Sequence, residues 1–600
     1  MKLSSRARRF VTITGFVAAA VVSTALADEP VAITNVTVID GNGGPPRANS
    51  TVVVNDGVIV SLSDTDSDLP GDAAVIDGRG KYLLPGFIDS NVHASVYGNS
   101  SRRETAVKYG ERNEALALEF AQRQLMHGVT TVRDSYGSLI PLIQVRDRIN
   151  RGEVVGARLL VAGNIVGWGG PFSMTFSLMQ ESELTLFQAT WNDLIAQGVG
   201  EELMDMGPEE VRSAINVYLD KGPDFIKYGG TSHFSRPSLI GFSPRIQRVI
   251  VEETHKRGLI AETHSTSPEA LRMTVEAGID LIQHPEILSR DYPEDLLQMI
   301  VDRDIVCGIR SNTLGGQNWQ DHLQRKAMAE ASLADAAPPA TSAEVRARQD
   351  MLGHGYEIQR RNAERLIAAG CIVSIATDNY QGRAPEFRKV PKPENHEAGI
   401  GSIIAIEGLV ELGMSEAEAI VAATRNGAIA AGRLERIGTI EEGKDADLIL
   451  LAANPLDDIS NIRTLEHVIA QGRIIDLASL PEQRLFYHGP TLPSAGVSRP
   501  IQPPEKAVAA AAGAEVVKEV SPNEYAEGLG IVSIYESSIG NLTLELANGQ
   551  TWRQLSSDDI KIVLPRDQSG LTADVSKGFM NSVNLKISNT GKTIKVRRIN

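Results

Sequence analysis

"LLPGFIDSNVH", from Leu83 to His93, decides how this chain is read. An apolar run leads into a short polar end, the pattern of a buried strand that delivers polar side chains at its carboxyl terminus. Side chains alternate along a strand, so Asn91 and His93, two apart, point the same way. Two histidines at that spacing would be half of a metal site. Here the first member is asparagine, whose neutral amide oxygen is a poorer match than imidazole for zinc.

Similar apolar runs recur downstream at "VTTVRD", "ARLLVAG", "DFIKYGG", "GLIAETH", "IDLIQH", "DIVCGI" and "CIVSIATDN", with helical stretches such as "SPRIQRVIVEETHKRG" between them. Roughly eight strands, each followed by a helix, predict an α/β fold, and the count favours a closed (β/α)8 barrel, placed over 83–436, above an open sheet. Five of the runs end in chemistry: His93 on the first, Lys227 on the fourth, His264 on the fifth, His284 on the sixth and Asp378 on the eighth. In a barrel those ends converge on one mouth. Singly, each has a structural reading: a strand-end histidine, a salt-bridged lysine, a helix-capping aspartate. Together and in this order they predict a metal site. Tyr228, His233 and Arg310 follow strand ends and are candidates for holding a substrate carboxylate, Arg310 by a bidentate pair, with a structural role as the alternative. His396 and Glu397 are candidate pocket residues in the loop after the eighth strand. Arg133 and Asp134 are expected to form an internal ion pair. The insertions at 171–208 and 313–356 follow strand ends and read as lid or pocket walls, or as surface decoration.

The flanks have another texture. Short β-rich runs over 28–82 return over 437–485, which predicts one small β domain built from both ends. A Pro- and Ala-rich linker is expected at 486–524 and a small all-β module at 525–600, with Leu542, Leu544 and Leu546 alternating before a turn at Asn548-Gly549, and Trp552 in its core. At the amino end, Lys2, Arg6, Arg8 and Arg9 precede an apolar run and a small-x-small site at Ala25-Leu26-Ala27, which reads as a signal peptide over 1–27. Arg8-Arg9 leaves the export route open. Cleavage would take the formal charge from −16 to −20 by removing these four cations. So acidic a chain is a poor partner for nucleic acid or anionic membranes, and no later segment is long and apolar enough to span a bilayer. The two cysteines, Cys307 and Cys371, read as buried apolar residues, with one inter-strand disulfide as the alternative.

The chain resembles the amidohydrolase superfamily, in particular its exported imidazolonepropionase-related and prolidase-like members, over about 31–478. The resemblance rests on "LLPGFIDSNVH", "HGVTTVRDSYG", "GARLLVAGNIV", "GPDFIKYGG", "AGIDLIQHPEIL", "AAGCIVSIATDN", "GMSEAEAIVAATRNGA" and "IGTIEEGKDADLILLAANPL". It implies a distorted (β/α)8 barrel with a composite β-sandwich. It also implies one or two divalent metal ions, zinc foremost. Lys227 then matches a lysine that is carboxylated and bridges two metals, His264 and His284 match the second metal's ligands, and Asp378 matches the residue that binds the first metal and shuttles the proton. His93 matches the second histidine of a His-x-His pair, and Asn91 departs from the first. Three outcomes stay open: a binuclear site with Asn91 or water filling the gap, a mononuclear site at the second position, or a barrel kept only for binding. The expected activity is hydrolysis of an amide or peptide bond in a small N-acyl amino acid or dipeptide, with a cyclic amide or lactone as the alternative. Self-association is left open.

Overall fold

The opening stretch is two strands, not one. Tyr82–Pro85 pairs antiparallel with Leu448–Leu451, Leu83 opposite Leu450, whereas Phe87–His93 pairs in parallel with Val129–Asp134. Gly86 sits at the break. A Cβ there would overlap the Thr130 side chain, so the chain passes between the two layers only without one. The start read at Leu83 therefore moves to Phe87.

The computed structural model describes residues 29–64, 69–96, 103–234, 238–334, 338–490, 492, 528–536, 542–547, 550–554, 560, 562, 571–577, 583–588, 590 and 592–598. The expected leader, positions 491 and 493–524 of the linker and the Asn548-Gly549 turn lie outside the described residues. The chain divides into two units, Met1–Gln502 and Pro503–Asn600.

In the first unit, strands from both flanks share one eight-stranded sheet. Arg473–Ile474, Leu465–Ala470 and Leu448–Leu451 run from one side into Tyr82–Pro85, followed by Val31–Val38, Arg47–Asn55 and Val58–Asp64, with Ala74–Asp77 also on Val31–Val38. Val31, Ile33, Val52, Leu83, Leu448 and Ile469 form its core. The middle of the chain forms two parallel sheets. One joins Ile165–Val166, Phe225–Gly229, Ile260–His264, Leu281–Gln283, Val306–Ile309 and Ile372–Ile375; the other joins Arg158–Val161, Val129–Asp134, Phe87–His93 and Asn379–Tyr380. The third and eighth repeats are each broken, giving one piece to each sheet. Helices intervene where the sequence signals them. "SPRIQ" and "SPEAL" start Pro244–Lys256 and Pro268–Glu276, with the Ser243 and Ser267 hydroxyls accepting the Ile246 and Ala270 amides and proline at the first helical position.

The second unit contains six antiparallel strands, Leu529–Glu536, Leu542–Leu546, Thr551–Gln554, Thr572–Lys577, Val583–Ile587 and Thr593–Arg598, closed into a ring. Leu542, Leu544, Leu546 and Trp552 are buried in its core.

Cys307 and Cys371 form a disulfide between the seventh and eighth repeats, which settles the alternative left open by their burial. The bridge closes a 64-residue separation that carries the helices Gly316–Leu333, Ser342–Met351 and His354–Ala368. Closing a loop of this length stabilises by about 2–4 kcal/mol, mainly by restricting the unfolded chain. The Cys307→Ala/Cys371→Ala double variant is expected to lose about that much in chemical denaturation; a loss within error of zero would show that the bridge does not restrain the unfolded chain.

His127, between the helix Asn113–Leu125 and the strand Val129–Asp134, packs on Gly399. Burial, with Arg123 and Arg463 nearby, pushes its pKa from 6.5 down to about 4. Between those values the unfolded chain binds the proton and the folded chain does not. Stability therefore falls as pH drops through this window, by up to about 1.4 kcal/mol per unit. His127→Gln is expected to flatten that acid limb in denaturation midpoints measured from pH 7 to 4.

Candidate active site

Four of the residues singled out in the sequence meet around one carboxylate. Asp378 follows the strand Ile372–Ile375 in a left-handed turn (φ 59°), and its amide donates to the Asn91 carbonyl at 2.9 Å. Its Oδ1 lies 2.8 Å from His93 Nε2 and 3.7 Å from His284 Nε2, and its Oδ2 lies 3.8 Å from Arg310 Nη1. Asn91 Nδ2 lies 3.1 Å from His284 Nε2. Burial opposes ionisation of Asp378, yet contact with His93 and the nearby Arg310 guanidinium hold its carboxyl well below the usual range. Burial also holds His264 and His284 far below the ordinary imidazole value, hence neutral. Lys227, 2% exposed, has its pKa lowered by burial against the pull of Glu262 and Asp378.

One contact is informative about charge. His93 Nδ1 lies 3.1 Å from the Tyr136 carbonyl, which can only accept. Nε2 faces Asp378 Oδ1, another acceptor. With a single ring proton, one of these two acceptors faces a ring lone pair.

Asp89 organises this arrangement. It is fully buried on the same strand as Asn91 and His93. Its Oδ1 accepts the Thr377 amide at 3.1 Å and the Asn91 amide at 3.2 Å, while its Oδ2 accepts the hydroxyls of Thr377 at 2.6 Å and Ser402 at 2.7 Å. One carboxylate thus ties the first strand to the turn that presents Asp378. The sequence offered one signal for it: an acid where the apolar run turns to the polar end of the strand.

Other candidates are placed differently. Tyr228 turns away from the cluster into the helix layer, where its hydroxyl donates to Gln247; strand alternation sends it opposite to Lys227. Arg310 is engaged by Glu286, at 3.3 Å, as well as lying near Asp378. His396 is close enough to feel Asp378, and burial brings its pKa down to about 4. Its neighbour Glu397 binds Arg123 and lies near Arg388 and Lys392. His233 is exposed and stacks on Phe176 at 4.6 Å. The expected Arg133–Asp134 pair does not form. Arg133 crosses to Glu262 at 2.8 Å, both fully buried, and Asp134 accepts the Ala94 amide, because successive residues of a strand face opposite ways.

Part of the 171–208 insertion packs beside the cluster. Trp168, just before it, and Phe176 within it pack with Tyr136, and Trp168 lies edge-on to His264 at 5.1 Å. Trp168 and Phe176 were missed individually, since the aromatic-rich stretch alone does not show which rings face the cluster.

The donors suit a divalent cation in kind. His264 Nε2 and the Asn91 side-chain oxygen are buried without a hydrogen-bond partner, two imidazoles are neutral, and Asp378 is ionised. Among the described residues, no three His, Cys, Asp or Glu side chains are yet gathered to hold an ion together.

Residues 82–475 match the model of the amidohydrolase family. The chain belongs to the amidohydrolase family. Its amidohydrolase region is similar to ochratoxinase of Aspergillus niger, at 24% identity over 456 residues, covering 73% of this chain and 84% of that one. The structure is similar to that of phenylurea hydrolase B, with TM-score 0.67 and 32% identity over 77% of this chain and 100% of the other. It is also similar to molinate hydrolase, with TM-score 0.66 and 30% identity over 77% and 98%. An amidohydrolase with hydrolase relatives is an enzyme acting on carbon–nitrogen bonds, which sets aside the reading of a barrel kept only for binding.

Asp89→Ala would leave two buried amides and two buried hydroxyls without their acceptor. At about 1–3 kcal/mol for each unsatisfied group, before relaxation, a loss of at least about 3 kcal/mol is expected in urea denaturation. Asp89→Asn, which keeps one acceptor oxygen, is expected to lose less.

Proposed function

We propose that this amidohydrolase is an exported, metal-dependent enzyme that hydrolyses the amide or peptide bond of a small substrate such as an N-acyl amino acid or dipeptide. In this reading the two parallel sheets are the halves of a distorted (β/α)8 barrel, joined through the broken third and eighth repeats. His93, Asp378 and Asn91 would hold one metal ion, foremost zinc, and His264, His284 and a carboxylated Lys227 a second. A bound divalent cation supplies Lewis acidity, which lowers the pKa of water and polarises a carbonyl.

The observation that carries the proposal is the ionised Asp378, shared by His93, His284 and Arg310 at the carboxyl ends of four strands. Its Oδ1 is engaged by His93, so Oδ2 is the atom suited to take a proton from water. From there the proton passes to the leaving nitrogen, which departs as a neutral amine. Arg310, 3.8 Å from Oδ2, favours the ionised state between turnovers. Glu286 holds the guanidinium in place through Arg310 Nε. Export is supported by the leader-like start and by the disulfide, since such bonds persist in oxidising compartments. No helix among the described residues is long and apolar enough to cross a membrane.

The test is a panel of small amides assayed with and without chelator, paired with elemental analysis of wild type and Asn91→His. Chelator-sensitive turnover is expected. Two metals per chain in both proteins would make Asn91 a working ligand; one rising to two would mark a reduced first site; none in either would sink metal dependence. Asp378→Asn is expected to lower kcat by about 10²–10⁴ while the protein stays folded by circular dichroism.

A further inference from the structure

The polar cluster has a π-rich side. Trp168 stands edge-on to His264 at 5.1 Å, and its indole N–H is used by the Thr231 carbonyl at 3.0 Å, so the ring presents no donor. Phe176 packs against Trp168 at 5.6 Å and against Tyr136 at 5.4 Å. His233 stacks on Phe176 at 4.6 Å with its plane tilted by 20°, and lies 6.1 Å from His264 at 27°. His233 is exposed, while Trp168, Phe176 and His264 are buried.

The backbone fixes this wall. The short helix Met174–Ser177 is capped by Ser173, whose hydroxyl accepts the Phe176 amide, and ends at Leu178 in the left-handed region. Glu201 accepts the Thr175 amide at 2.5 Å, and the Thr175 carbonyl accepts the His233 amide at 2.9 Å. The fourth-repeat loop bearing His233 and the insertion bearing Phe176 are therefore hydrogen-bonded to each other, not merely adjacent. The charge of the cluster is carried by Asp378 and Arg310, 3.8 Å apart.

The geometry points to a substrate that carries an aromatic ring beside the scissile C–N bond, seated on the Trp168–Phe176–His233 wall next to His264. This deepens the proposed hydrolysis and rests on it for turnover, but not for binding. Offset and edge-on ring contacts contribute about 0.5–1.5 kcal/mol beyond the apolar area they bury. A ring meeting two of these side chains should therefore gain at least tenfold over a methyl group.

The experiment uses the full chain with N-benzoylglycine and N-acetylglycine as probes. Binding is measured by calorimetry after chelator treatment, and turnover with zinc added. N-benzoylglycine is expected to bind at least tenfold more tightly, and its advantage in kcat/KM to be as large. Phe176→Ala is expected to reduce both ratios about tenfold. Phe176→Tyr, which keeps the ring, is expected to retain them. If both compounds are hydrolysed with chelator sensitivity but the acetyl compound is favoured or equal, the aromatic wall is overturned and the hydrolase reading stands. If the benzoyl compound binds selectively and nothing is turned over with any divalent metal, the hydrolase reading fails and the wall stands. Absence of selective binding in the wild type, or an unchanged ratio in Phe176→Ala, overturns the wall in either case.

Discussion

The arrangement depends on one buried carboxylate that performs no chemistry. Asp89 accepts four hydrogen bonds, from two amides and two hydroxyls, and so joins the first strand, the Asp378 turn and the helix Ile400–Glu411. Asp378 needs such an anchor. It occupies the left-handed region, where a residue with a Cβ sits at a cost, and this conformation persists only if the surroundings hold it. Thr377 supplies that hold through both its amide and its hydroxyl. Burial pushes the Asp89 carboxyl up to about 6, and the four donors work against that rise. The anchor is thus a balance between a dry location and the hydrogen bonds gathered there.

A second buried group supports Lys227. Arg133 and Glu262 form a fully buried ion pair; Phe225 lies under the guanidinium at 3.9 Å, and Gln283 donates to the same Glu262 oxygen and to the Ser90 carbonyl. Four strands are bound together through Glu262 and Gln283. Glu262 lies opposite Lys227 in the strand register and favours its charged form, while Arg133 and burial favour the neutral amine. Replacing such a pair with apolar side chains is often neutral for stability, so its value here lies in the register and field it imposes on Lys227 rather than in net stabilisation.

Much of this was legible in the sequence because it follows from periodicity. Apolar runs ending in His93, Lys227, His264, His284 and Asp378 became strand ends, and the β-rich flanks became one sheet. What failed to show depended on tertiary contact. The break at Gly86 needed knowledge of Thr130 beneath it. Arg133 and Asp134 are adjacent in sequence and looked like partners, yet alternation separates them. Tyr228 shares a strand end with Lys227 and faces the opposite way for the same reason. Asp89 resembled one more polar residue, since its four donors come from positions up to 313 residues apart. The ring contacts of Phe176 and Trp168 with His233 and His264 are equally distant in sequence, so the insertion's composition suggested a wall without saying which faces it presents.

Asn91 then takes a definite meaning. Its amide nitrogen contacts His284, its carbonyl accepts the Asp378 amide, and its own amide is held by Asp89. It links the first, sixth and eighth repeats through one neutral side chain and its backbone. Two of these three links use the backbone and would persist with any residue of compatible shape. The third uses the side chain, and it sets how His284 presents its nitrogen. The amide donates to His284, while its oxygen is buried without a hydrogen-bond partner. The lone pair of His284 Nε2 is therefore met by a neutral donor, in keeping with the neutral state that burial imposes on that ring.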